Sequence, residues 1–360
     1  MEFLASKPLS RRRFLRQSLA WSAVAALPNL QTLGAKTSFD SGATHALIVG
    51  DWGWSGQPKT DVSKNGSGFE AQSMVARGMQ HYVQSHSLRA DALLMLGDSW
   101  YGDLAGGAKS PRWIDQFERM YLEESFPGPI YSVLGNHDYQ MLPPDVNKLE
   151  AELEYARTGR GLSGRPTRWT LPSRWYTFDF PKRSPLIHFI VLDSNMPKAD
   201  GTWQHGHDFT LKAAEQVEQL EWLKAQLAMP RSAPFLAVLG HHPVYSNGPH
   251  GDHPVLIREW DPLFQRYKVD LYMAGHDHDL QHLEFDGHPT THFLSGAGGA
   301  DLYVLKIDGL DRGPYAQQVH GFSHLAVTKS AMELRHLDSD GRLLYGISKT
   351  SRGEVRTLPM

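Results

Sequence analysis

YSVLGNHDY, residues 131–139, begins as a strand and ends in three polar side chains. β-Forming residues run up to a glycine, and Asn136, His137 and Asp138 follow at once. A turn explains one such strand end. The chain on either side repeats the pattern four more times. HALIVG (45–50) runs into GDWG, and ADALLMLG (90–97) runs into GDSWY. FLAVLG (235–240) runs into GHHP, and VDLYMAG (269–275) runs into GHDH.

Helix-period segments lie between these strands. They cover 68–86, with Phe69, Met74, Val75, Met79 and Tyr82 near helical spacing, then 111–125, 209–227 and 253–267. PLIHFIVLD (185–193) is a further strand. Continuously apolar strands alternating with helices predict an α/β fold whose sheets are covered on both faces. After residue 275 the pattern turns to β, with SDG at 339–341 as a hairpin turn. Strands within 320–350 are expected to pack on the same body, giving a single domain over 40–360. Residues 140–175, rich in proline, read as a helix around 145–157 and a long surface loop. The loop at 201–208 carries His205 and His207, read as solvated.

The chain has 360 residues, 41% hydrophobic and 21% charged, in the range of globular proteins. It has no cysteine, so disulfides and thiolate metal sites are excluded and any metal must be held by oxygen and nitrogen. SRRRFLR at 10–16 precedes the apolar run SLAWSAVAALPNL at 18–30. A basic segment followed by a short apolar run reads as a signal peptide over 1–35, cleaved near Ala35. The Arg11–Arg12 pair with Phe14 and Leu15 resembles a bacterial twin-arginine signal. The run is too short to serve as a stable membrane anchor. The expected destination is the periplasm or the exterior, and the export machinery is an expected partner. Residues 1–35 hold five Lys/Arg and one acidic residue, so the remainder carries 31 basic and 38 acidic side chains, a net of −7. Nucleic acid is not an expected partner, because such surfaces are basic.

In open α/β sheets, ligands bind outside the carboxyl ends of the strands. Here five strand ends deliver Asp51; Asp98 and Tyr101; Asn136, His137 and Asp138; His241 and His242; His276, Asp277 and His278. Singly, each is an ordinary cap or turn. Together they read as one metal site. Carboxylates, an amide carbonyl, imidazoles and a phenol suit first-row metals, and a carboxylate can bridge two. A phenol ligates only where a strong Lewis acid takes its proton, which favours a trivalent ion beside Tyr101.

The five blocks GDWG, GDSWY, GNHD, GHHP and GHDH resemble those of the metallophosphoesterases. The tyrosine three residues after the second aspartate narrows the resemblance to purple acid phosphatases. GHHPVYS, HDHDLQH and LSGAGG within 235–299 are similar to the small, tartrate-resistant members. The resemblance implies a four-layer αββα sandwich of two mixed β-sheets flanked by helices. It implies Fe3+ held by Asp51, Asp98, Tyr101 and His278. A divalent ion (Fe2+, Zn2+ or Mn2+) would be held by Asp98, Asn136, His241 and His276, with Asp98 bridging. His137 would contact phosphate, and His250 would protonate the leaving group, with Pro249 where the small members have a glutamate. The implied reaction is acid hydrolysis of phosphate monoesters, small-molecule substrates, by in-line attack of a metal-bound hydroxide. Alternatives are an all-divalent phosphodiesterase or nucleotidase, a non-catalytic scaffold, and an accompanying redox role. His242, in the place of an aromatic, reads as packing or as a further phosphate contact. Trp52, Trp54, Trp100 and Tyr245 read as either core or the wall of a substrate entrance.

Overall fold

Between Thr44 and Thr357 the chain runs mostly β-α-β before turning to consecutive strands. The first half holds β1 (Thr44–Val49), α1 (Gly68–Ser85), β2 (Ala92–Met95), β3 (Ile130–Ser132), α2 (Lys148–Thr158), β4 (Trp169–Thr170) and β5 (Tyr176–Phe180). Then come β6 (Ile187–Val191), α3 (Ala213–Ala228), β7 (Phe235–Leu239), α4 (Pro254–Glu259), α5 (Asp261–Tyr267), β8 (Leu271–Ala274), β9 (Leu280–Leu283) and β10 (Thr291–Ser295). The last strands are β11 (Tyr315–Gln317), β12 (Gly321–Val327), β13 (Ala331–Asp338), β14 (Leu343–Thr350) and β15 (Val355–Thr357). The structure, a computed structural model, describes residues 39–40, 42–54, 68–196, 211–306 and 312–359. The signal-like segment 1–35 and the loop histidines His205 and His207 lie outside the described residues. No helix among the described residues is long and apolar enough to cross a membrane.

Two mixed sheets form. One has the order β15-β14-β13-β12-β1-β2-β3-β4, the other β11-β9-β10-β8-β7-β6-β5. In the first, β1 to β4 run parallel, and β12 pairs antiparallel with the other edge of β1. In the second, β6, β7, β8 and β10 are mutually parallel neighbours. The alternation within a strand explains the continuous apolar runs. On β6, Phe189 and Val191 join the core between the sheets, while Ile190 faces the helical layer. On β7, Ala237 and Leu239 turn inward, and Leu236 and Val238 face Leu223, Leu256 and Phe264 of the helices. The sheets meet through stacked rings, Tyr131 on Phe178 at 3.6 Å and Phe293 on His336 at 3.9 Å. This is the two-sheet, helix-flanked sandwich that the motifs imply.

Three local expectations are corrected. The helix expected over 111–125 is only a six-residue π-helical turn, Trp113–Glu118. Gln72 of α1 donates to the Gln116 carbonyl at 2.7 Å, taking an acceptor a continuing helix would use. The helix expected over 253–267 breaks at Trp260, because Pro262 at the start of α5 has no N–H for the preceding turn. Residues 140–175 do contain the expected helix, but the rest is not all surface loop. Trp169 is buried, and its strand pairs with β3. The short strands β4, β5, β11 and β15 carry too little periodicity to be read.

Buried histidines are expected to make the sandwich acid-sensitive. His336 Nε2 donates to the Gln281 carbonyl at 3.0 Å, and its Nδ1 lies 2.9 Å from the Ser323 hydroxyl. Burial pushes its pKa down to about 3. The unfolded chain therefore binds a proton near pH 6.5 that the folded chain refuses until about pH 3. Stability present above pH 6.5 is lost as pH falls through that window, by on the order of 1 kcal/mol per pH unit for each such group. The slope of Tm against pH between 6 and 4 should be shallower in His336→Gln, which keeps a polar side chain that does not titrate. An unchanged slope would remove His336 from the acid response.

Candidate metal centre

Asp51 follows β1, and Asp98 and Tyr101 follow β2. Asn136 and His137 follow β3, His241 follows β7, and His276 and His278 follow β8. The first three strands belong to one sheet and the last two to the other, so the residues meet across the top of the sandwich. Asp51, Asp98 and His276 each adopt a left-handed backbone, with φ of 58°, 50° and 69°. Non-glycine residues there are strained and cluster at functional sites. The glycines beside them are set by crowding. A Cβ at Gly135 would stand 2.2 Å from the Asp98 amide nitrogen, and one at Gly275 would stand 2.4 Å from Asp51 Oδ2.

One half of the centre is built around the Tyr101 hydroxyl. It lies 3.1 Å from Asp51 Oδ1, 3.1 Å from Asp98 Oδ2 and 3.0 Å from His278 Nε2. The other half joins His241 Nε2 to Asn136 Oδ1 at 3.1 Å and to His276 Nδ1 at 3.2 Å. Asp98 Oδ2 also stands 3.4 Å from His241 Nε2, so this carboxylate faces both halves. Ligands about 2.1 Å from one ion and at right angles to each other stand about 3 Å apart. The donor spacing therefore fits metal coordination.

The supporting contacts orient the lone pairs inward. His241 Nδ1 donates to the Leu96 carbonyl at 2.8 Å, and His278 Nδ1 donates to the Asp301 carbonyl at 2.5 Å. Each leaves the Nε2 lone pair available to a metal. Asp98 Oδ1 accepts from the His137 amide at 2.7 Å, and Asp51 Oδ2 from the His276 amide at 2.9 Å. Arg112 ties the walls together, donating to the carbonyls of Tyr101 and Gly53 at 2.9 Å each. Asp138 accepts from the amides of Ser99 at 2.8 Å, Trp100 at 3.1 Å and Gly135 at 2.8 Å, bracing the loops of Asp98 and Asn136.

The electrostatics call for a cation. Burial raises the Asp51 pKa, and Asp98 adds to this. Burial also works to raise that of Asp98, but the charges and hydrogen bonds of His241 and His137 outweigh it and hold Asp98 low. The Tyr101 phenol is pushed far up by burial and then by both carboxylates. Burial and the neighbouring imidazoles of His242, His250 and His241 hold His276 well below its ordinary value, in the neutral form that ligates.

His137 lies against Tyr101 with ring centroids 4.3 Å apart, and its buried Nδ1 has no hydrogen-bond partner. His250 packs on His276 at 4.3 Å, with Nδ1 2.6 Å from Asp277 Oδ1. His242 has Nδ1 3.0 Å from Ser194 Oγ, and its ring lies 4.2 Å from His276. Trp52 and Trp100 are core residues, packed with Tyr121, Trp113 and Trp169. Trp54 lies beside Tyr101 at 5.3 Å, and Tyr245 packs on Phe285. Sequence reasoning missed two residues and the role of a third. Asp277 was read only as one of the strand-end groups, with no partner assigned. Tyr303 stacks on His278 at 4.0 Å from a loop without periodicity. Arg112 acts on backbone oxygens, which leave no mark in a sequence.

Asp261, His288 and His292 form another cluster of metal-capable atoms. His288 already bonds Asp261 Oδ1 through Nε2 and the Thr290 amide through Nδ1, 3.0 Å each, so this is a structural pair.

Comparison with known proteins agrees with this fold. A family model described as calcineurin-like phosphoesterase matches residues 44–280. Human tartrate-resistant acid phosphatase type 5 is 29% identical over 328 residues, covering 86% of this chain and 92% of that protein. Purple acid phosphatase 7 of Arabidopsis thaliana is 29% identical over 322 residues, covering 86% of this chain and 87% of that protein. Among solved structures, purple acid phosphatase PPD1 from yellow lupin seeds superposes with a TM-score of 0.56 at 18% identity, covering 86% of this chain and 54% of that one. GAP50, the anchor in the inner membrane complex of Plasmodium, does so with a TM-score of 0.63 at 20% identity, covering 84% of this chain and 87% of that one. With its strand-end blocks inside the matched region and its two-sheet sandwich shared with these structures, the chain belongs to the calcineurin-like phosphoesterase family.

Proposed function

We propose that the protein is a purple acid phosphatase that hydrolyses phosphate monoesters at an iron(III)–divalent metal pair. Fold alone does not carry this, because one fold hosts catalysts and anchors alike. Tyr101 carries it. Its hydroxyl has one hydrogen and three acceptor-type neighbours at 3.0–3.1 Å, two of them carboxylates. A phenolate on a hard trivalent ion resolves that conflict, and an all-divalent centre has no need of the phenol. Asp51, Asp98, Tyr101 and His278 would hold Fe3+. Asp98, Asn136, His241 and His276 would hold Fe2+, Zn2+ or Mn2+.

When bound, such a pair supplies Lewis acidity toward phosphate oxygens and a water acidified enough to attack at low pH. The protein's own groups do the rest. His137, beside Tyr101, offers an N–H to a phosphate oxygen. His250 brings a proton to the departing alkoxide from the ring nitrogen opposite the one held by Asp277. The fixed donors around the site need no reorganisation as charge develops on phosphorus. Residues 1–35 fit a twin-arginine export signal ahead of one catalytic domain over 40–360. They support a periplasmic or secreted enzyme whose metals are loaded before export.

The test is the visible absorption spectrum of the metal-loaded mature protein, wild type beside Tyr101→Phe, with phosphatase activity measured on both. A broad visible band lost in the variant is expected. An active wild type with two bound metals and no band would replace this reading with the all-divalent phosphodiesterase or nucleotidase.

A further inference from the structure

His250 lies on a loop, 246–252, that no regular element holds in place. A side chain there must be fixed by contacts. Asp277 supplies them. It is fully buried, and its Oδ1 stands 2.6 Å from His250 Nδ1 and 3.4 Å from the His250 amide nitrogen. Its Oδ2 accepts from the Ser246 hydroxyl, which also accepts from the Gly248 amide at 2.8 Å. A Cβ at Gly248 would stand 2.3 Å from Asp277 Cγ, so the loop passes directly over the carboxylate. Both oxygens of one buried aspartate therefore hold the loop at Ser246 and at His250. The His250 ring lies between His276 at 4.3 Å and Tyr303 at 5.2 Å.

We propose that Asp277 is the positioning residue for His250, fixing the tautomer and ring orientation in which Nε2 is turned to the leaving group. This rests on the phosphatase reading of the same site. A carboxylate accepts only, so the nitrogen beside it must carry hydrogen, and the opposite nitrogen is the one presented. The reaction balances without a further reactant. Water adds hydroxide to phosphorus as the bond to the ester oxygen breaks. That oxygen takes the Nε2 proton and leaves as an alcohol, and the proton shed by the water restores His250. An amide at position 277 can present either its oxygen or its NH2, so it no longer dictates which nitrogen carries hydrogen.

The experiment compares kcat on an alkyl phosphate, whose leaving group needs a proton, with kcat on p-nitrophenyl phosphate, whose leaving group does not. Asp277→Asn is expected to lose about 10- to 100-fold on the alkyl ester and less than about threefold on the aryl ester. Ser246→Ala, which frees one oxygen of Asp277, should shift the ratio the same way by a smaller factor. Equal losses on both esters, or no loss, would overturn the proposal and leave Asp277 a structural residue. If His250→Asn itself fails to separate the two esters, His250 is not the acid and the proposal falls with it. The phosphatase reading stands or falls separately on wild-type activity and the visible band.

Discussion

Replacing Asp98 by asparagine is expected to strip both metals from the centre and to lower phosphatase turnover by at least about 10³-fold. Among the donor atoms, Asp98 Oδ2 alone reaches toward both Tyr101, at 3.1 Å, and His241, at 3.4 Å. Its other oxygen is committed to the His137 amide at 2.7 Å. An asparagine would satisfy that amide with its carbonyl. Its NH2 would then point a hydrogen at the place where a lone pair and a negative charge are needed. The substitution keeps size and shape, so far-UV circular dichroism should be unchanged while metal content falls below one equivalent. Turnover within tenfold of wild type, with metals retained, would remove Asp98 from the centre.

The second large effect lies one layer deeper. Lys148 of α2 is fully buried and donates to the carbonyls of Trp100 at 2.6 Å and Gly102 at 3.1 Å, and to Gln140 Oε1 at 3.3 Å. Those two carbonyls flank Tyr101. Burial lowers the Lys148 pKa to about 8, partly offset by Asp138 and Asp98. Lys148→Met leaves two carbonyls without a donor and deprives Asp138 and Glu152 of the cation among them. Breaking a buried charged network from one side costs about 3–5 kcal/mol. Denaturant unfolding should show a loss in that range, and the visible band should weaken because Tyr101 is no longer held. A loss below about 1 kcal/mol with an unchanged band would assign Lys148 no part in positioning the phenol.

The sequence was legible where structure is local. A buried strand, a glycine and a polar side chain fit within nine residues, so the five strand ends and their chemistry could be read before any coordinates. The sheet order could not, because the pairing of β1 with β12 joins residues 275 positions apart, Ile48 with Ser323. The π-helical turn was hidden because helical spacing at Trp113 and Phe117 is set by aromatic packing, while Gln72 takes the carbonyl that would continue the helix. Trp52 and Trp100 could not be assigned to core or entrance, since an indole next to a motif has the same letters in both cases. The pairing of Asp277 was hidden for a different reason. Its partner, His250, lies 27 residues upstream on an irregular loop, and nothing periodic joins them.

The place of β1 between β2 and β12 has a consequence for synthesis. Its first neighbour arrives with Ala92–Met95, soon after β1 itself, but the opposite edge stays open until Gly321–Val327 has left the ribosome. For most of translation the nascent chain therefore carries an apolar strand with unpaired amides and carbonyls, a template for pairing with another chain. A ribosome stalled before residue 321 releases a polypeptide that has every metal-site residue named above but lacks the strand that covers β1. The earliest of the described strands is sealed by one of the last.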